Sequence, residues 1–350
     1  MSEDQRTPIF LTGATGYIGG SVLARLLAHP SAKSFDITVV SRRQEKADKL
    51  AYFGVKAVVS SMDYYALLED YVAKAHIVID CADADNIDAV QAIIRGLKKR
   101  HELVGDTPIF IHTSGTAVLS DNAKGLHPSD TVYDDMNPDQ IAGIPPSAPH
   151  RNVDNAIFDA DKQGYLKAYF IAPGTIYGIA HNPLVDAGIQ NSRSQQIPQL
   201  VKASLDRGQA GVVGKGASLW PNVHIDDVSD LYIILFDAVT ANSDKLGHGL
   251  NGFHFGENGE HRWYDISRAI GQAFVEFGIS GDPEPTSFTE EELDKYFGSE
   301  ELANANVGSN SRCRSNRGRS IGWKPKYVTK DMLASVNAEV EAALKLNGKK

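Results

Sequence analysis

Residues suited to handling a dinucleotide stand together near the start of the chain, which reads Thr12-Gly13-Ala14-Thr15-Gly16-Tyr17-Ile18-Gly19-Gly20 directly after the apolar run Ile9-Phe10-Leu11. Gly13 can take a tight turn, Gly16 lets backbone come close to a pyrophosphate, and Gly19 lets a helix pack tightly on a strand. The helix N-terminus, with Thr15, Tyr17 and Ile18, then presents free N–H groups and the positive end of its dipole to phosphate. A bare tight turn is the alternative, and the strand-turn-helix context argues against it. No Gly-Lys-Ser/Thr follows, which disfavours a nucleotide triphosphatase. The second strand ends Ser41-Arg42-Arg43, where an acid would bond the adenosine ribose and select NAD. Asp36 lies at the wrong end of that strand. Two guanidinium groups and a hydroxyl suit a 2′-phosphate, so NADP(H) is expected ahead of NAD(H), the alternative being a solvated basic turn.

The elements that must position these groups follow from periodicity. Strand-like runs occur at Ile9–Leu11, Ile37–Val40, Val55–Val59, His76–Ile79, Ile109–Ile111 and Leu166–Ala172. Helical stripes lie between them: Ile18, Val22, Leu23, Leu26 and Leu27, stopped by Pro30; Ile87, Val90, Ile93, Ile94 and Leu97; and residues 155–164. Apolar strands alternating with helices predict a doubly wound parallel α/β Rossmann sheet with a smaller C-terminal substrate-binding portion. We divide the chain into a dinucleotide-binding domain over 1–178, to whose sheet 223–255 returns, and a substrate-binding portion over 179–222 and 256–350. The insert 118–149 is rich in proline and aspartate and reads as a functional or mobile loop. Thr329 is the expected N-cap of a last helix striped by Met332, Leu333, Val336, Val340 and Leu344, with Gly348 past its end.

Composition narrows the classes. The 350 residues carry 35 Lys+Arg against 44 Asp+Glu, a net −9 that disfavours nucleic acid as a partner. The longest apolar run, Leu231–Phe236, is far short of the ~20 residues of a membrane span. The start Met1–Arg6 is polar, with no signal-peptide run behind it, and Cys81 and Cys313 form no disulfide framework. A cytoplasmic location is therefore expected. Asp83 and Asp85 with His112 lack a second histidine or cysteine at ligand spacing, so no metal is expected.

The G-x-x-G-x-x-G spacing resembles the short-chain dehydrogenase/reductase superfamily, in particular its extended branch of epimerases and dehydratases. Four further segments resemble that family: Phe110-Ile111-His112-Thr113-Ser114, Ala172-Pro173-Gly174-Thr175-Ile176-Tyr177-Gly178, Val223-His224-Ile225-Asp226-Asp227-Val228 and Ile321-Gly322-Trp323-Lys324-Pro325. The resemblance implies that Ser61 to Asp63 lie near adenine, and that Cys81, Ala82, Asp83, Thr113, Pro173, Thr175 and Ile176 lie along the cofactor. Dimeric members of the family raise a homodimer as an option.

The family's catalytic tyrosine and lysine, four residues apart, are not found where expected. The sole Tyr-x-x-x-Lys, Tyr52 to Lys56, precedes the third strand. In the expected place the chain reads Pro149-His150-Arg151-Asn152-Val153-Asp154, which puts His150 at the tyrosine position and Asp154 at the lysine position. Gly115 takes the place of the usual serine. These departures resemble the atypical members. An imidazole can still donate a proton, so His150 is the candidate acid with Asp154 as orienting carboxylate, against a plain helix-start histidine. Ser114, Thr116 and Tyr177 are hydroxyls that can polarise a carbonyl. Asp227 is expected to cap the helix through Leu231–Phe236. Arg312, Arg314, Arg317 and Arg319 read as a solvated loop or an anion clamp. The functional expectation is an NADP(H)-dependent oxidoreductase, or an epimerase/dehydratase-like enzyme, acting on a small carbonyl-containing substrate. Its alternative is a non-catalytic NADP-binding regulator or redox sensor.

Overall fold

The computed structural model describes residues 6–242 and 246–346; Met1–Gln5 and Gly348 lie outside them. Seven parallel strands form the central sheet: β1 (Thr7–Leu11), β2 (Phe35–Ser41), β3 (Lys56–Val59), β4 (Ile77–Asp80), β5 (Ile109–Thr113), β6 (Lys167–Pro173) and β7 (Phe253–Gly256). Their spatial order is β7-β6-β5-β4-β1-β2-β3, a Rossmann arrangement whose strand order reverses between β1 and β4.

Side-chain alternation shows why the sheet needs cover on both faces. Ile9, Leu11, Val39, Ile77, Ile79, Ile109 and Ile111 point to one face. There they pack on Val22, Leu23 and Leu26 of α1 (Tyr17–Leu27) and on Leu231, Leu235 and Val239 of a later helix, Ile225–Asn242. Phe10, Val78, Phe110 and Phe170 point to the other. They meet α3 (Tyr65–Val72), α4 (Ile87–Val104) and α5 (Arg151–Lys162). Between them lies α2 (Gln44–Ala51), behind β2. The edge strand β7 comes from beyond residue 250 and pairs with β6 from Phe253↔Phe170 to Gly256↔Pro173.

A separate core collects Trp220, Trp263, Ile266, Ile270 and Phe274 with Ile197, Val201, Met332, Val336 and Val340. The helices Gln196–Arg207, Trp263–Glu276 and Thr329–Leu346 enclose it. The segment 179–222 thus holds a regular helix that its polar composition hides. So does 280–312, where Thr289 and Glu292 form a reciprocal capping box.

Several local expectations change. The insert 118–149 is pinned rather than loose: Tyr133–Asp134 pairs with Cys313–Arg314, and buried Asp135 accepts the N–H groups of Arg317 (2.7 Å) and Phe255 (3.0 Å). Asp227 does not cap its own helix. Its carboxylate accepts the N–H groups of Lys326 and Tyr327, while Trp323 Nε1 donates to its carbonyl at 2.7 Å. Thr329 is not the last helix's cap either: its hydroxyl donates to Glu260 O, and Asp331 reaches back to the Val328 N–H. The arginine run is partly solvent-exposed, at Arg314 and Arg319, but its guanidinium groups are engaged and do not form a free clamp. Arg312 and Arg314 bond Glu260, Arg317 bonds the Asp135 carbonyl, and Arg319 bonds Glu257. Two family-like motifs a hundred residues apart are therefore stitched together by Asp227, and the arginines serve internal acids.

Candidate functional site

The three glycines of the turn have three different jobs. Gly13 sits at φ +72°, and a Cβ there would lie 2.4 Å from Cys81 O, so the end of β4 closes on it. A Cβ on Gly19 would lie 2.3 Å from Gly13 O. At Gly16 only the Gly13 carbonyl oxygen stands within 4 Å of that position, at 3.1 Å, which leaves its backbone open. No side chain caps the N-terminus of α1. Its N–H groups and dipole end face outward for an anion.

This open backbone borders a cleft of about 510 Å³ along the carboxyl ends of β1, β2 and β4. Gly13, Thr15, Gly16, Ser41, Arg42, Arg43, Ser61, Met62, Asp63, Cys81, Ala82 and Asp83 line it. Lys46, Asn86 and Asn191 line it as well, and sequence reasoning missed them. Lys46 is one helical turn beyond Arg42, a spacing that would have revealed it. Asn191 arrives from far along the chain, bonding Thr15 O at 3.0 Å, and carried no local signal. Burial, with Arg43, Lys49 and Arg42 nearby, holds the Lys46 ammonium below its usual range. Among the described residues no carboxylate pairs with Arg42 or Arg43. The donor set fits a dinucleotide: free N–H groups for the pyrophosphate and three cations where an adenosine ribose phosphate would stand.

Other expected residues lie off this cleft. The Tyr17 hydroxyl donates to Gly178 O, tying α1 to the end of the Tyr177–Gly178 segment. Ile18 and Ile176 pack on the core, and Gly19 is buried. Thr113 Oγ1 bonds Asp80 O and the Tyr232 hydroxyl, both at 2.6 Å. Pro173 closes β6, and Thr175 is fully buried. Tyr177 is not brought to the other hydroxyls. It donates to Val328 O at 3.1 Å inside the second core, and burial pushes its phenol well up.

His150 opens α5 with φ +63°, a left-handed backbone that costs a non-glycine residue about 1–2 kcal/mol. Its Nδ1 bonds Asp85 Oδ1 at 2.8 Å, and a Cβ built on Gly115 would lie 3.0 Å from its Nε2. The carboxylate that orients His150 is thus Asp85's, and not Asp154's as its position one turn along suggested. The His150 bond in turn holds the Asp85 carboxyl below the usual carboxylate range. Asp154 is fully buried, accepts from Ser114 Oγ at 3.1 Å, and is pushed up by desolvation. Thr116 is buried, with no partner on its hydroxyl among the described residues. A second cavity, about 350 Å³, begins at Pro149 beside His150 and is lined by Val118, Ser120, Tyr133, Ser147 and Arg312. Among the described residues no helix is long and apolar enough to cross a membrane.

With the glycine turn and the seven parallel strands in view, the chain belongs to the atypical short-chain dehydrogenase/reductase-like Rossmann proteins, in one family with an oxidase, and its likeness to epimerases and dehydratases is one of fold. Among its relatives, Oxidase ucsJ of Acremonium sp is 31% identical over 353 residues, covering 95% of this chain and 97% of that protein. Residues 9–96 match the saccharopine dehydrogenase NADP binding domain family. The fold is shared with UDP-glucose 4-epimerase of Thermotoga maritima, at a TM-score of 0.63 and 16% identity over 97% of this chain and 100% of that one. It is shared also with the dTDP-glucose 4,6-dehydratase DesIV of Streptomyces venezuelae, solved with NAD bound, at 0.66 and 15% over 97% and 98%. A nicotinamide dinucleotide is accordingly the cofactor class supported for this chain.

Proposed function

We propose that this chain is an NADP(H)-dependent oxidoreductase acting on a small carbonyl-containing substrate, with His150 handling the proton. The observation that carries this reading is the placement of His150. A strained backbone and Asp85 fix its ring, and its Nε2 lies 3.0 Å from where a Cβ on Gly115 would stand, one residue along the chain from Pro149, which lines a 350 Å³ cavity. Strain retained at such a position is commonly tied to function. Gly13, Gly16 and the α1 N-terminus hold the pyrophosphate, and Arg42, Arg43 and Lys46 hold the 2′-phosphate. When bound, the dinucleotide gives or takes the hydride. Asp85 accepts from Nδ1–H and so leaves Nε2 to exchange a proton with the substrate oxygen. The name of the ucsJ relative supports redox chemistry.

The sensor reading has one observation in its favour: the buried carboxyl of Asp154 stands where the family's lysine would hold the nicotinamide ribose. The test is NADPH oxidation across a panel of aldehydes, ketones and enones, with wild type and His150→Ala. Turnover that His150→Ala lowers by about 10²–10⁴-fold supports the enzyme. Tight NADPH binding without turnover of any substrate overturns it in favour of the sensor.

A further inference from the structure

A line of buried polar groups runs beneath the first turn of α5 toward the glycine turn. It starts at Thr12, whose hydroxyl donates to Asp80 Oδ1 and accepts the Cys81 N–H at 3.1 Å. Asp80 Oδ2 bonds His112 Nδ1 at 2.9 Å, with both side chains at most 2% exposed. At the far end Ser114 Oγ donates to Asp154 Oδ2. Between these two halves stand His112 Nε2 and Asp154 Oδ1. Both are buried, and neither is bonded by any group among the described residues. The two are too far apart for a direct ion pair, yet His112 is the foremost group drawing Asp154 toward its charged form. Ser114, Arg151 and His150 act on Asp154 in the same sense more weakly.

Two orphaned buried polar atoms cost about 1–3 kcal/mol each unless something bonds them. We propose that one water molecule is bound between His112 Nε2 and Asp154 Oδ1, and that the bridged pair holds a single exchangeable proton behind Ser114. The proposed donor order takes His112 as neutral: the Asp80 carboxylate accepts Thr12 O–H and His112 Nδ1–H, which leaves Nε2 with a lone pair. The water donates to Nε2, Asp154 Oδ1–H donates to the water, and Ser114 O–H donates to Oδ2. Both orphaned atoms are then bonded, with one proton on Asp154. That carboxyl's raised affinity for its proton agrees with this arrangement.

The line can take up one proton. As a route alternative to His150 Nε2, Ser114 accepts it from a substrate hydroxyl and passes its own to Asp154 Oδ2. Asp154 then gives Oδ1–H to the water, and the water gives a proton to His112 Nε2. The product is an imidazolium beside the Asp80 carboxylate, and reduction runs the same steps backward. Asp154 acts through Ser114 and is a positioning residue. The use of the proton rests on the oxidoreductase reading; the water and the tautomer do not.

Two measurements on the full chain separate these. A high-resolution crystal structure should show a water within hydrogen-bond distance of both atoms, and ¹⁵N NMR at pH 8 should show His112 protonated at Nδ1 alone. A dry gap, or a proton on Nε2 alone, overturns the proposal. Asp154→Asn keeps an acceptor for Ser114 and a donor for the water, but removes the proton. It should keep the water and lower kcat about 10²-fold with KM within twofold. Unchanged kcat would overturn the relay even with the water in place. Wild type without turnover on any substrate, water present, would instead count against the oxidoreductase reading.

Discussion

Replacing Arg42 and Arg43 together by alanine removes two of the three cations at the carboxyl end of β2. Both guanidinium groups are exposed, so each acts through screened charge rather than a sealed hydrogen bond. A unit cation about 5 Å from a phosphate dianion gains about 1.7 kcal/mol in water, and screening at 0.15 M salt cuts that to about 0.9 kcal/mol. Two such groups give about 2 kcal/mol, or about 30-fold in affinity. The same sum from hydrogen bonds to charged groups, about 1.5–3 kcal/mol each, gives about 10²-fold at its low end and sets an upper figure of about 10⁴-fold. Lys46 remains in the double variant, and its Nζ stays fixed on Ile189 O at 2.6 Å. A residual preference for the 2′-phosphate should therefore survive. Calorimetric titration with NADPH and NADH gives the assay. NADPH should weaken about 30-fold or more while NADH changes less than threefold, and 1 M salt should narrow the wild-type preference, since the Debye length falls to about 3 Å. Equal weakening of both dinucleotides, or tighter wild-type binding of NADH, would refute the argument.

Gly115→Ala puts a methyl 3.0 Å from His150 Nε2 and should displace the ring from Asp85. The expected loss of turnover approaches that of His150→Ala, about 10²-fold or more, with NADPH affinity unchanged. Asp227→Ala strands the Lys326 and Tyr327 N–H groups and should lower unfolding stability by about 2–4 kcal/mol in urea titrations. Burial holds His254 at about 4 and His261 at about 3, so the unfolded chain binds more protons below pH 6.5. Stability present above that pH is lost on acidification, about 4 kcal/mol for the pair between pH 7 and 5. Burial raises Asp135 to about 7, so there the folded chain binds more protons; that returns about 2 kcal/mol over the same range. Wild type should thus lose about 2 kcal/mol, and Asp135→Asn about 4 kcal/mol, from pH 7 to 5; equal losses in urea melts at the two pH values would contradict this.

The parts legible in the sequence were those written locally. Six strands announced themselves by apolar runs, and the glycine turn by its own spacing. The seventh was anticipated only as the return of 223–255 to the sheet and not as a strand, because Phe253-His254-Phe255-Gly256 is short and its partner Phe170 lies far away. His150 was legible as a substituted position, but its left-handed backbone and its bond to Asp85 depend on the loop after β4 folding against α5. Tyr177 misled because the motif names a residue type, while the direction of its side chain is set by the second core. The arginine run misled because Glu257, Glu260 and Asp135, its partners, come from two other stretches of chain.

That borrowed seventh strand bears on how the chain can be divided. A fragment ending at residue 178 would hold the whole glycine turn and most of the cleft, yet its sheet would stop at β6. Phe170 and Ile171 would then lie along an open edge whose N–H and C=O groups have no partner. Such an edge is a template for pairing with another copy. The first half should self-associate when produced alone, and adding the segment through Gly256 should restore it to a single copy. Duplication or exchange of the nucleotide-binding half during evolution would meet the same obstacle, so the two halves are bound to be inherited together.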